Sequence, residues 1–269
     1  MNVNGAAVPT LPPGWIVPDW PAPPGVHAFV TTRSGGVSPP PWGAAPGSDG
    51  GMNLGLGSGD ARDNVLANRA RLRRLLPAEP VWLQQVHGAA VVDAEGCAAL
   101  SSPPQADAST ALAARTVCAV LVADCLPVLI ADRAGRAVAA AHAGWRGLAA
   151  GVLQRTVARL RARLGEGAVV AELVAWLGPA IGARRFEVGA EVLDAMQAQL
   201  PQAQCAFAPQ PGGKYLADLH ALARQALAQC GVVQVHGDDS CTFSDAQRFF
   251  SYRRDGSTGR HVAVIWRDG

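Results

Sequence analysis

Between Val117 and Ala143 the chain runs through three stretches with almost no polar side chains: Val117–Ala123, Val128–Ala131 and Ala137–Ala143. None alternates polar with apolar residues, so none has a face to give to water. Each reads as a strand covered on both sides. DRAGR, residues 132–136, supplies the turn between the second and the third. Asp124 and Pro127 interrupt the apolar run of 117–131, which excludes it as a membrane-spanning helix.

The flanking segments add helices and further strands. Val26–Thr32 has strand character, and residues 33–60 carry so much Gly and Pro that they read as one long loop. Asp60–Leu76 reads as a helix capped by Asp60, with Val65, Leu66, Leu72 and Leu76 as its inner stripe. VWLQQVH, residues 81–87, reads as a strand ending at His87. Leu148–Leu164 reads as one helix, with Leu148, Val152, Leu160 and Leu164 on one side and Arg155, Arg159 and Arg163 on another. Leu173–Leu177, Val232–His236 and His261–Trp266 read as strands. Gly189–Leu200 and Leu216–Cys230 read as helices, the second stopped by Gly231, and 249–260 reads as a loop. No linker interrupts the chain after residue 60. The expected organisation is an extended N-terminal arm over 1–25 and one domain over 26–269.

Hydrophobic residues make up 49% of the 269 residues and charged residues 16%, enough to bury a substantial core. The net charge of +2 comes from scattered arginines, so no nucleic-acid-binding face is expected. The first residues lack a basic segment followed by an apolar run, so no secretory signal is read there and a soluble, cytoplasmic protein is expected. The six cysteines, at 97, 118, 125, 205, 230 and 241, contain no CxxC pair and read as reduced thiols.

Three of the chemically versatile residues share a setting. His87, Cys125 and His142 each stand where an apolar stretch meets a Gly- or Pro-containing turn: QVHG, ADCLP and AHAGWRG. Two imidazoles and a thiolate form a three-ligand shell suited to Zn²⁺, with a fourth position left for water or substrate. Cys125 and His142 fall on one hairpin, so bringing them together costs little loop entropy. The same residues also suit a small core cysteine and hydrogen-bonded histidines. The spacing does not choose between these readings.

QQVHG, DAST, VADCLPVLIAD, AAHAGWRGLAAGV, WLGPAIGARRFEVGAEV, DLHALARQAL, CTFSD and FFSYRRDGSTGRHVAVIW, with TTRSGGVS and NLGLGSGD before them, resemble the YfiH family. It is also called the laccase-domain or multicopper polyphenol oxidase-like family. The resemblance spans about Trp20 to Trp266. It implies a single α/β domain, a four-layer α/β/β/α sandwich with mixed sheets, and zinc ligands at His87, Cys125 and His142. It further implies a purine nucleoside phosphorylase, which splits adenosine, inosine or S-methyl-5′-thioadenosine with phosphate into free base and the (methylthio)ribose 1-phosphate. Adenosine deamination is an implied companion activity. The segment PPPWGAAPGSDGG lengthens the loop after Gly36 relative to the family pattern.

Residues suited to that chemistry are present. Arg33 opens a Gly-Gly loop and is the first choice for phosphate or substrate contact. Arg146 stands just ahead of the helix expected from Leu148, whose N-terminal end favours anions. Arg253, with Arg254, lies in a further glycine-containing loop, and Asn53 suits a hydrogen bond to ribose or base or a turn role. Asp124 suits a proton shuttle for deamination or a role in orienting its neighbours.

Three other readings stay open. A Cu²⁺-dependent polyphenol oxidase would use the same donors, although a blue-copper site with a trinuclear cluster needs more than the six histidines present. A thiol hydrolase would use Cys125 as nucleophile and His142 as base. A non-enzymatic binding protein would hold a structural zinc with a fourth ligand. The preferred nucleoside and the oligomeric state are not set by the sequence.

Overall fold

The three apolar stretches do form strands, and they stand at the centre of the molecule. A computed structural model of the chain describes residues 10–43, 50–97, 99–165, 172–237 and 239–269. Residues 1–9 of the expected arm and 44–49 of the expected loop lie outside the described residues. In chain order the elements are β1 Val26–Val30, β2 Ser34–Ser38, α1 Arg62–Arg73, β3 Pro80–Val81, β4 Val91–Asp93, α2 Ala94–Cys97, β5 Ala108–Ala111, β6 Val117–Val122, β7 Leu126–Asp132, β8 Val138–Ala143, α3 Trp145–Ala149 and α4 Val152–Leu164. There follow β9 Leu173–Leu177, β10 Glu187–Val188, α5 Ala190–Gln197, β11 Phe207–Gln210, β12 Lys214–Ala217, α6 Leu219–Gln229, β13 Gln234–Gly237, α7 Tyr252–Asp255 and β14 His261–Arg267.

Two mixed sheets carry the fold. One has the order β1-β14-β6-β3 and the other β13-β9-β7-β8-β5-β4; a three-stranded sheet, β10-β12-β11, lies beside them. β7 and β8 form the antiparallel hairpin expected around DRAGR, in a register that sets Pro127 opposite His142. Asp132 closes its turn by accepting hydrogen bonds from the Arg136 backbone and guanidinium, while Gly135 takes a left-handed φ of 72°.

Strand alternation divides the core into three. On one face of the larger sheet Val128, Ile130, Ala139, Ala141, Ala175 and Leu177 meet Leu153, Val157 and Leu160 of α4 and Leu222 and Ala226 of α6. On its other face Leu129, Ala131, Val138, Ala140 and Trp176 meet Cys118, Val120, Ala263 and Ile265 of the smaller sheet. The outer face of the smaller sheet, with Val117, Ala119, Val262 and Val264, packs against Trp15, Phe29 and Leu72. Each large aliphatic side chain buried this way contributes about 1.5–3 kcal/mol. The described residues form one α/β domain with mixed sheets, as expected. Within the stretch read as an arm, Trp15 is buried and Ile16 pairs with Val30.

Several expected elements come out differently, each for a local reason. The loop read over 33–60 contains β2, whose ends bridge to Gly51 and whose Val37 N–H is taken by the buried Asn68 side chain. Of VWLQQVH only Val81 falls in a strand, together with Pro80 before it in β3. Beyond them the Gln85 amide replaces main-chain pairing, donating to Leu121 O at 2.8 Å and accepting from Leu121 N at 2.7 Å. The helix read over Leu148–Leu164 is two helices, α3 and α4, because Gly151 adopts a left-handed φ of 81° between them. Leu66 of α1 is 40% exposed, outside the buried stripe of Val65 and Leu72. The start of the helix read over Leu216–Cys230 belongs to β12, and α6 begins where Asp218 accepts a hydrogen bond from Ala221 N. The loop read over 249–260 includes the single turn α7, capped by Ser251.

Candidate metal centre

The hairpin delivers two side chains to one place. Cys125 immediately precedes β7, and His142 lies on β8 next to the residue facing its start. His87 arrives from a separate turn. One donor atom from each of the three lies within 4.8 Å of the others, and the group has these three members among the described residues. The His87 and His142 rings meet edge to face with centroids 4.8 Å apart. His142 is buried, Cys125 half-buried and His87 exposed, so the group opens to solvent on the His87 side.

Asp107 organises this convergence. Its carboxylate is fully buried. One oxygen accepts from His142 Nδ1 at 2.8 Å and from the His87 backbone N–H at 2.9 Å. The other accepts from the N–H groups of Gly88 at 2.7 Å and Val86 at 3.2 Å. These bonds hold the 86–88 turn, in which His87 has a positive φ of 59°, a conformation unusual for a residue with a β-carbon. They also commit Nδ1 of His142 to Asp107, leaving Nε2 as the ring nitrogen available to a metal. Burial alone would raise the Asp107 pKa, but the His142 bond and the backbone N–H groups bring it below its ordinary value.

Cys125 and His142 shift each other. Burial pushes the thiol up, and the adjacent His142 and His87 rings overcome it and lower the pKa well below the usual thiol value. Burial pushes His142 down, and the Cys125 thiolate and Asp107 overcome it in turn. Without a metal the two form a thiolate and a protonated ring; a cation that displaces that proton would find a thiolate and two imidazoles, a set that matches the preferences of Zn²⁺ and also accommodates Cu²⁺. Gly144 leaves the space open: a β-carbon there would stand 2.7 Å from Cys125 Sγ and 3.3 Å from His87 Cδ2.

The remaining sequence-derived candidates have specific settings. Asp124 has a positive φ of 96° and is engaged on both carboxylate oxygens, by Thr242 Oγ1 and by Arg253 N, each at 2.7 Å. Its carbonyl accepts from Ile181 N. Three distant segments are thus tied to the residue before Cys125. The Arg33 guanidinium is spent on the carbonyls of Gly43, Ala246 and Pro41. Asn53 is saturated as well: its oxygen accepts from the N–H groups of Gly55 and Arg260, and its amide donates to Ser58 and Asp60. Arg146 lies inside α3 rather than ahead of a helix, exposed and stacked over Trp145 at 4.4 Å. Arg253 donates one N–H to Glu187 O and lies over Phe186.

Asp107 and Arg260 were not singled out in the sequence. Asp107 stands in DAST, a motif with no chemical signature of its own. The signal that could have found it is an acidic residue at the start of a buried strand. Arg260 is partly buried, donates to Thr258 O and Gly259 O, and has its charge near Cys125, Asp124 and Tyr252.

A family model described as multi-copper polyphenol oxidoreductase laccase matches residues 27–268. The chain is 51% identical over 253 residues to purine nucleoside phosphorylase YfiH of Shigella flexneri, covering 93% of this chain and 98% of that one. A purine nucleoside phosphorylase of Pseudomonas aeruginosa is 49% identical, covering 94% and 98%. Among solved structures, a Neisseria meningitidis protein superposes with a TM-score of 0.86 at 46% identity over 95% of this chain and all of that one. YlmD of Geobacillus stearothermophilus does so with a TM-score of 0.85 at 30% identity, covering 97% and 98%. All described helices are too short or too polar to cross a membrane.

Proposed function

The chain belongs to the multi-copper polyphenol oxidoreductase laccase family, and on that premise we propose that it is a zinc-dependent purine nucleoside phosphorylase of the cytoplasm. Its substrates are adenosine, inosine or S-methyl-5′-thioadenosine together with phosphate. Adenosine deamination is a second activity of the same pocket. The names of the half-identical relatives support the reaction. The observation that carries the reading is the open three-donor group of His87, Cys125 and His142, held by Asp107.

In phosphorolysis a phosphate oxygen bonds to C1′ as the N-glycosidic bond breaks. The bonding pair leaves with the base, which takes up a proton. When bound, Zn²⁺ supplies a positive charge that polarises a substrate oxygen or water. His87, Cys125 and His142 are its ligands, and the thiolate form of Cys125 is the one suited to that role. The Arg146 guanidinium makes no hydrogen bond with a described residue, and that of Arg253 makes one, to Glu187 O. Among the candidates read from the sequence, these two guanidiniums are therefore the ones left to contact an anion. Arg33 and Asn53 act through the loops they hold. Asp124 fixes the backbone ahead of Cys125.

The test is a panel of nucleosides incubated with and without phosphate, in the absence of oxygen, on protein of measured metal content. Release of base that requires phosphate supports the proposal. Turnover of phenols that requires oxygen and copper would replace it with the oxidase reading. A second reading has a specific observation behind it: Cys125, His142 and Asp107 form a nucleophile, base and orienting carboxylate in sequence. A thiol hydrolase built on them would keep its activity in chelator, which the metal-dependent enzyme loses.

A further inference from the structure

Tyr252 is the one aromatic among the large exposed hydrophobic residues described, with 61% of its surface open. Its phenol makes no hydrogen bond with any described residue. An exposed aromatic on a loose loop would mean little, but the turn that displays it is rigid. Ser251, fully buried, caps α7 by accepting from Arg254 N at 3.2 Å. The Arg254 guanidinium donates to the carbonyls of Thr242, Phe243 and Phe249. Arg253 N donates at 2.7 Å to the carboxylate of Asp124, the residue before Cys125. The Tyr252 backbone is thus bolted to the loop that carries the thiolate ligand.

Arg260 fixes the side on which the ring stands. Its guanidinium is 5.8 Å from the Tyr252 ring centroid and is itself held by two carbonyls. The same guanidinium feels the charges of Cys125 and Asp124. It therefore stands close to the aromatic ring and within electrostatic reach of the Cys125 loop. On the other ligand arm Val86, next to His87, is 50% exposed. Flat apolar surface beside a polar, positively charged centre is complementary to a heteroaromatic ring joined to a sugar.

We infer that Tyr252 is the residue on which the substrate's purine base stacks, with Arg260 at the edge of the ring, while the sugar reaches toward the His87–Cys125–His142 group. The assignment rests on the nucleoside phosphorylase reading and extends it to base recognition. Stacking on an aromatic side chain tolerates any base with a flat face, so Tyr252 favours purines over pyrimidines by stacking area rather than by a hydrogen bond.

The experiment measures adenosine and adenine binding to metal-loaded protein by equilibrium dialysis without phosphate, and in parallel the KM values for adenosine and for phosphate. Tyr252→Ala should weaken both adenosine and adenine about tenfold or more and leave the KM for phosphate within about twofold. Tyr252→Phe should bind within about twofold of the native chain, and Tyr252→Leu should resemble the alanine variant. Metal content and melting temperature should stay unchanged, because the side chain is exposed. Adenosine and adenine binding unchanged in Tyr252→Ala would overturn the inference, as would an equal rise in the KM for phosphate. If no nucleoside is phosphorolysed but adenine binding still depends on Tyr252, the base site stands and the proposed reaction falls.

Discussion

Replacing Asp107 by Asn changes one atom and removes one charge, yet it should dismantle the metal centre from beneath. The carboxylate receives four hydrogen bonds, two on each oxygen. An amide has one oxygen, so it can satisfy only one pair and must turn its NH₂ toward the other two donors. If the oxygen faces Val86 and Gly88, His142 must shift its proton to Nε2, the nitrogen needed for a metal. If it faces His142 and His87, the 86–88 turn loses its support. Hydrogen bonds to a charged acceptor contribute about 1.5–3 kcal/mol each, so losing two puts about 3–6 kcal/mol at stake before relaxation. Removing an orienting partner behind a metal ligand typically lowers affinity about 10- to 100-fold. Zn²⁺ affinity measured by competition with a chromophoric chelator should fall within that range. Melting of the metal-free protein should fall too, since the same bonds hold the turn. Zn²⁺ affinity of Asp107→Asn within twofold of the native chain would refute this account of the site.

Three further outcomes are expected. Gly144→Ala places a β-carbon 2.7 Å from Cys125 Sγ. It should lower Zn²⁺ affinity at least about tenfold and destabilise the fold by about 1–3 kcal/mol, read by chelator competition and denaturant titration. Cys125→Ala should lose bound metal and all phosphorolysis while keeping the native circular dichroism spectrum, and chelation of the native protein should reproduce the activity loss. His261 is buried with Nε2 accepting from Phe250 N, and burial lowers its pKa from 6.5 to about 3. Below pH 6.5 the unfolded chain therefore takes up a proton that the folded one refuses. His261 contributes stability that is present above that pH and lost below it, about 2 kcal/mol by pH 5. Urea titrations of the native chain and of His261→Gln across pH 5–8 should differ by this slope; parallel curves would contradict it.

The central strands were legible because an unbroken apolar stretch allows few alternatives. The β7–β8 hairpin followed from the DRAGR turn, and with it the proximity of Cys125 and His142. His87 was chosen for the right neighbourhood but the wrong backbone, since the 81–87 strand ends at Val81 and a carboxylate 20 residues away shapes the turn. No local pattern announces that arrangement: it exists only once β5 lies beside β8. Arg33 and Asn53 show the opposite effect. Residue type suggested free donors, and burial turned those donors inward to carbonyls and side chains. Gly151 looked compatible with a long helix until its left-handed φ showed that two helices meet there.

The last strand, β14, pairs with β1 on one side and β6 on the other. During synthesis, then, the first strand emerges with that edge unpaired and stays so until β14 has been made. The ties from Thr242 and Arg253 to Asp124 come equally late. A ribosome-bound chain made only as far as β13 holds every strand of the larger sheet but lacks both ties that shape the loop ahead of Cys125. Any metal that the His87–Cys125–His142 group takes up therefore meets its finished loop only once the segment carrying Arg253 is in place.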